Sequence, residues 1–476
     1  MLRMQEYEEE DFLCLRLSIS ADSDCERKRK RKRNETPTLS DSISSDGSFE
    51  EESKIISLFQ MRDQMLNLRR KRGGEDHHPE ESDVDGDGLR LVHLLLVAAT
   101  AVDENNPGAA LESLRGIYRS ASLVGDSVQR VAAYFADGLV ARLLTRGSPF
   151  ADAVAQAPAP EEAFLSYAEL YKVSPLYQMA HFTANEAILE AFEKHDHANP
   201  NPRVLHVIDF EVSYGFQWPS LMQSLSERAT PARRILLKIT GYGSCPEQLQ
   251  ETQTRLTSFA QCFRNLVFEF IGVIRGLDLV KPKIKKGEIL VANLSFHLST
   301  LKNYSEISDT LNYLKTVRPA IVVLVEQEGS RKTHNFLSRF TESLHYFAAI
   351  FDSLDDCLPL ESSERLRIEK NHLGTEIKHV MNYDRDDDNN NIDNLRFQSL
   401  ETWKKRMESN GFRGVRHSPN AVMQAKLLLK MRSHCASTQL EGENAGFRIF
   451  ERDDGRALSL GWQEKLLITA SSWCCV

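Results

Sequence analysis

The chain lacks any apolar stretch long enough to span a bilayer. Its longest run, Leu91 to Val102, is interrupted by His93 and falls well short of the ~20 residues a membrane helix needs. The first residues, MLRMQEYEEEDF, are acidic where a secretory signal is basic, so the expectation is an intracellular, soluble chain with no membrane contact. The eight cysteines contain no CxxC pair and no dense cluster. No zinc finger or disulfide framework follows from them, and they read as reduced thiols. Positive charge is not in excess: 59 Lys and Arg against 68 Asp and Glu leave a formal charge of −9, which argues against wholesale coating of nucleic acid. Signatures of catalysis are missing as well. No GxSxG, HExxH, P-loop or zinc-deaminase pattern occurs, and the 14 histidines are dispersed.

What is present is 476 residues, 41% of them hydrophobic, enough for a sizeable core and two to three domains' worth of chain. Residues 1–88 are rich in Ser, Asp, Glu, Lys and Arg and are expected to form a disordered arm, because they bury too little apolar surface to offset ordering entropy. Arg27, Lys28, Arg29, Lys30, Arg31, Lys32 and Arg33 make an unbroken basic run suited to an acidic nuclear-import groove. The competing reading is a solvated charge run, and a second cluster at Arg69 to Arg72 is taken as auxiliary. Leu13, Leu15 and Leu17 alternate, which in an extended chain places three leucines on one face. Residues 55–68 have helical spacing, with Ile56, Phe59, Met65 and Leu66 roughly on one side. Either segment is expected to order on a partner. Asp83 to Gly88 resembles half of an EF-hand loop, but Leu94 stands at the twelfth position, where a bidentate carboxylate is required, so calcium is not expected.

From Leu89 to about 195 the pattern is helical. Asp126 is a candidate N-cap, and Val128, Val131, Ala132, Phe135, Leu139 and Leu143 form the stripe of an amphipathic helix. The Ala-Pro-Ala-Pro at 157–160 breaks the pattern before helices resume over 164–192. Beyond residue 203 short β-branched runs alternate with helices: 204–210, 234–240, 266–273, 289–294 and 320–326. This is the signature of a parallel sheet covered on both faces. Segments 446–451, 457–462 and 465–471 read as antiparallel strands, with Asp453-Asp454-Gly455 as a turn. The fold class is therefore α/β, a Rossmann-like parallel-sheet core over 203–476 with a helical cap over 89–195. Asp209 ends the first core strand, where such folds bind nucleotides, yet the following loop carries one glycine, Gly215, among bulky residues. The second strand ends at Thr240-Gly241 without a ribose-binding acid. No cofactor and no metal are expected. Asp209 is read as capping and orienting the next helix, which begins near Trp218, and His206 as a hydrogen-bonded core histidine.

The ordered blocks of the chain resemble the plant GRAS family of transcriptional regulators. LVHLLLVAATAV (91–102) and GDSVQRVAAYFADGLVARL (125–143) are similar to a first leucine-rich region. Leu205, His206, Val207, Ile208 and Asp209 stand where the family has its VHIID motif. KITGYG (238–243) resembles the opening of the second leucine-rich region, 324–355 the PFYRE region and 446–473 the terminal SAW region. The block NYDRDDDNNNIDNLRFQSLETWKKRM (382–407) departs from the family's Arg-Glu-Arg-rich stretch, and the pattern is nearest the branch linked to symbiotic nodulation and arbuscule signalling. The resemblance implies a methyltransferase-like core with a helical cap, used as a nuclear interaction platform and not as an enzyme. It implies other regulators as partners, GRAS proteins among them in homo- or hetero-dimers, with promoter DNA a further partner. The Leu13, Leu15, Leu17 spacing resembles a corepressor-docking motif. Leu91, Leu94, Leu95, Leu139 and Leu143 are the partner-binding candidates, and the rival function is an S-adenosylmethionine-dependent methyltransferase. Basic residues for DNA contact would be drawn from 281–286, Arg331, Lys332 and Arg413 to Arg416.

Overall fold

The computed structural model describes residues 55–62, 84–144, 154, 156–196, 203–276, 284–329, 335–382, 395–432 and 446–476. The basic run at 27–33, the leucines at 13, 15 and 17, and the Asp/Asn run after Asn382 lie outside the described residues. Among those described, nine strands form one sheet, eight of them in the order β3-β2-β1-β4-β5-β9-β8-β7 with the ninth, β6, paired to β9. β1 (Arg203–Asp209), β2 (Ile235–Gly243), β3 (Leu266–Ile274), β4 (Ile289–Ser295) and β5 (Ile321–Gln327) are parallel, with Val207 opposite Ile239 on one side and Val291 on the other. β9 (Lys465–Cys475) runs antiparallel to β5, Val325 facing Ala470, and then pairs with β8 (Ala457–Trp462) and β7 (Phe447–Arg452). β6 (Phe412–Val415) continues the β8 edge of β9, since Ser472 faces Val323 on one side and Val415 on the other.

β1 is buried along nearly its whole length because both faces of the sheet are covered. Leu205 and Val207 join the larger core with the cap, whereas Ile208 and Phe210 join a second core with α9 (Tyr304–Val317) and α13 (Leu400–Ser409). α7 (Trp218–Arg228) and α8 (Pro246–Ala260) pack on the cap side through Trp218, Leu221, Leu249 and Leu256. The cap itself contains α1 (55–62), α2 (Val84–Asp103), α3 (Pro107–Ser120), α4 (Ser127–Leu143) and α5 (Pro160–Val173), and α6 (Pro175–Asp196) leads from it onto the sheet, packing on β4, β5, β8 and β9. Asp126 caps α4 as expected, accepting from the Gln129 amide at 2.8 Å. No helix among the described residues is long and apolar enough to cross a membrane.

Three features depart from the sequence reading. The cap is built from two separated segments, because α10 (Phe336–Cys357), α11 (Ser363–Arg367) and α12 (Gly374–Asn382) return from the core to pack on it. Phe340 and Phe347 meet Phe135 edge-on at 5.5 and 6.1 Å, which ties α10 to α4. The helix at 55–62 docks on the chain's own cap: Leu58 is buried and Arg62 grips Asp137 with two 2.8 Å hydrogen bonds. Finally, Leu91, Leu95 and Leu139 are wholly buried in the cap core, and Leu94 and Leu143 pack against it partly buried. Their spacing marks the inward stripe of α2 and α4, so Leu91, Leu95 and Leu139 hold the cap together, while Leu94 and Leu143 keep part of their surface outside.

Candidate functional site

The strand order reverses between β1 and β4, so a crevice opens beyond their carboxyl ends, where ligands bind in open α/β sheets. A cavity of about 430 Å³ lies there, between the strand ends, the loop 210–217 and the cap. Asp209 and Ser295 line it because they share the cap-side parity of Val207 and Val291, and Asn293, of the same parity, lies behind them and bonds both. The carboxylate of Asp209 is fully engaged. Trp218 Nε1 donates to Oδ2 at 3.0 Å, Asn293 Nδ2 donates to Oδ1 at 2.9 Å, and the Glu211 amide donates to Oδ1 at 3.3 Å. Burial raises this carboxyl to about 7, although those hydrogen bonds pull it down.

The network continues outward. Gln217 bonds Asn293 and Asn185, and Asn185 in turn donates to the Gln217 carbonyl and Ser220 Oγ, both at 2.8 Å. Asp209 therefore orients α7 through the Trp218 indole. It does not cap the helix: the N-cap is Gln217, whose side chain caps nothing. His206 points to the opposite face, its ring nitrogens bonded to Glu288 and Thr240 Oγ1 at 2.9 Å each, the core histidine expected.

Aromatic rings close the cavity from above. Tyr167 on α5 lies 5.1 Å from Tyr177, 5.3 Å from Tyr214, 5.4 Å from Phe216 and 5.5 Å from His372. The Tyr177 hydroxyl and His372 Nε2 are hydrogen-bonded at 3.1 Å, and burial pushes the imidazole down and the phenol up. Two ion pairs stand at the rim, Glu211 with Arg275 and Glu376 with Arg396 at 3.0 Å. These rings come from α5, α6, the loop after β1 and the π-helical turn Ile368–Leu373, too far apart in sequence for any spacing to reveal them. The one available signal was the aromatic density of Phe164, Tyr167, Tyr171 and Tyr177.

A nucleoside cofactor does not fit these residues. Gly215, at φ +75°, gives its side-chain space to α8: a Cβ there would meet Thr252 at 2.8 Å and Leu256 at 3.1 Å. The end of β2 is filled likewise, a Cβ on Gly241 meeting Val212 at 3.0 Å, and Tyr242 stands where a ribose-binding acid is needed. The polar groups that converge on Asp209 satisfy one another, and no cluster of metal-binding side chains occurs among the described residues.

Of the basic candidates, Lys281, Lys283, Arg331 and Lys332 lie outside the described residues. Lys285, Lys286, Arg413 and Arg416 are exposed, the last two in and just after β6.

Comparison with known proteins places this geometry. The model of the GRAS domain family matches residues 91–474. The protein SCARECROW of Ipomoea nil is 34% identical over 406 residues, covering 84% of this chain and 48% of that protein. The GRAS family protein RAD1 of Lotus japonicus is 32% identical over 461 residues, covering 91% of this chain and 86% of its own. This chain spans about half the length of the SCARECROW proteins it matches, 48% in Ipomoea nil and 56% in Arabidopsis thaliana. Among solved structures, SCL7 of Oryza sativa superimposes with a TM-score of 0.62 at 29% identity, over 80% of this chain and 99% of the other.

Proposed function

The chain belongs to the GRAS domain family, and from that premise we propose that it is a nuclear transcriptional coregulator that assembles other regulators on its surface and catalyses no reaction. The observation that carries this reading is the strand-end site, where the loop after β1 lacks the glycines that cradle a cofactor, the end of β2 carries no ribose-binding acid, and the cap aromatics roof the cavity that remains. Arg27 to Arg33 would supply nuclear import. Leu13, Leu15 and Leu17 would dock a corepressor along an extended segment. The partners proposed are regulators of the same family, in homo- or hetero-dimers.

The partner surface is drawn from residues the buried leucines leave outside. On α2, Leu96 and Val97 are 38% and 39% exposed, and Leu89, about two turns before Leu96 on the same side, is exposed as well. They follow directly on the buried Leu95, so the same helix binds the cap with one face and offers an apolar strip with the other. Changing Leu96 and Val97 to Asp together is expected to leave the melting temperature within a few degrees of the parent while abolishing recovery of partner regulators from nuclear extract. A variant that folds normally and recovers the same partners at the same yield would refute this surface.

Promoter DNA is a second reading, favoured by the exposed Arg413 and Arg416 at the β6 edge with Lys315 and Arg318 beside the same C-terminal strand. Phosphate contacts there would make affinity fall steeply with salt.

A further inference from the structure

α14 (Pro419–Arg432) is a surface helix with apolar residues on two opposite faces. Ala421 and Ala425 are buried and Leu428 and Leu429 pack partly buried on the core, which seats α14 against α6 and β7. On the other side Met423, Leu427 and Met431 are 61%, 53% and 53% exposed. They recur every fourth residue and so form one row along the helix, with a pitch of about 6 Å. One apolar stripe is what a seated surface helix needs, and a second marks a docking face. The helix carries Lys426, Lys430 and Arg432 and no acid of its own; Lys426 bonds Glu451 at 2.8 Å.

We propose that this row docks the chain's own segment 6–17, which lies outside the described residues. The chemistry matches in three respects. Glu6, Glu8, Glu9, Glu10 and Asp11 complement a helix whose charged residues are all cationic. Leu13, Leu15 and Leu17 on one face of an extended segment repeat at about 6.6 Å, close to the ~6 Å pitch of Met423, Leu427 and Met431. The 37 residues at 18–54 separate Leu17 from the docked helix at 55–62, and extended they reach up to about 120 Å, so the tether permits the contact. Docking there hides the three leucines from any other protein that reads them. The arm and α14 then form an intramolecular latch, which an external partner opens by competition. This inference is independent of which proteins the cap surface recruits.

The test is photo-crosslinking in the full chain with Leu427→benzoylphenylalanine, an exposed position, after confirming an unchanged melting temperature. Illumination at submicromolar concentration, digestion and mass spectrometry should show a dominant intrachain link to residues 6–17. Its yield should fall about tenfold or more when Leu13, Leu15 and Leu17 are all changed to Ala. Links between two copies that grow with concentration would overturn the proposal in favour of a self-interface. A link elsewhere in the chain, no link at all, or a yield indifferent to the three leucines would overturn it too.

Discussion

Changing Glu369 to Ala is expected to cost about 3–5 kcal/mol of stability. Glu369 Oε1 accepts from Arg130 Nε and from Arg365 Nη1, each at 2.9 Å, and all three side chains are essentially out of water. Arg130 also reaches Asp355 at 2.5 Å and the Gly125 carbonyl at 2.7 Å, so one guanidinium on α4 joins α10 to the turn that follows α11. Burial pushes the Glu369 carboxyl up while the two arginines pull it down, which makes the cluster a balance of large opposing terms. Removing the carboxylate leaves two buried cations to share Asp355. Glu369→Gln, which keeps the shape and one acceptor, should fall between parent and alanine. Denaturant unfolding reads the effect as a lower midpoint at unchanged slope. A loss below about 1 kcal/mol for the alanine variant would mean that water already solvates the cluster. The π-helical turn that carries Glu369 also carries His372, so the variant should loosen the aromatic roof of the crevice as well.

Leu95→Ala is the second large effect, about 2–5 kcal/mol, with Leu91→Ala and Leu139→Ala in the same range. Each of these side chains is wholly enclosed in the cap core, so truncation leaves a cavity that neighbouring helices fill only in part. Partner recovery should decline only as far as the folded fraction does, and it should return on cooling or on addition of a stabilising osmolyte. Loss of partner recovery with an unchanged melting temperature would restore these leucines as contact residues. The neighbouring pair Leu96 and Val97 has the opposite expectation, so two faces of one helix separate folding from association.

The core strands were legible because a strand buried on both faces reads as an unbroken apolar run. All five parallel strands start within one residue of the expected positions, and the Asp453-Asp454-Gly455 turn lies between β7 and β8, with positive φ at all three residues. β6 was not legible: four residues, Phe-Arg-Gly-Val, carry no alternation, and the partner strand lies some sixty residues on. The return of α10 to α12 to the cap was not legible because helical periodicity shows that a helix has an apolar face but not which layer covers it. Buried charge was invisible for the same reason, since Arg130, Glu369 and Glu328 look like solvent-facing residues in their local sequence. Glu328 in fact accepts from the Leu400 amide at 3.0 Å, Arg452 at 2.8 Å and Thr469 at 2.6 Å, which fastens the terminal strands to the end of β5. One clue did exist for Arg130: α4 is buried without a break from 130 to 140, and its sequence is apolar on more than one face. At the crevice, Asp209 was identifiable from its strand end, but its indole and amide partners were not.

The central claim is that the crevice beyond β1 and β4 stands where a cofactor site would but lacks the groups to hold a cofactor, because its polar side chains are engaged in holding the fold. Calorimetric titration of S-adenosylmethionine into the purified chain tests it most directly. The account predicts no saturable heat with cofactor up to about 1 mM, the level that corresponds to roughly 4 kcal/mol of binding. Saturable binding in the micromolar range, abolished by Asp209→Ala in a variant that still folds, would contradict it and return the chain to the methyltransferases.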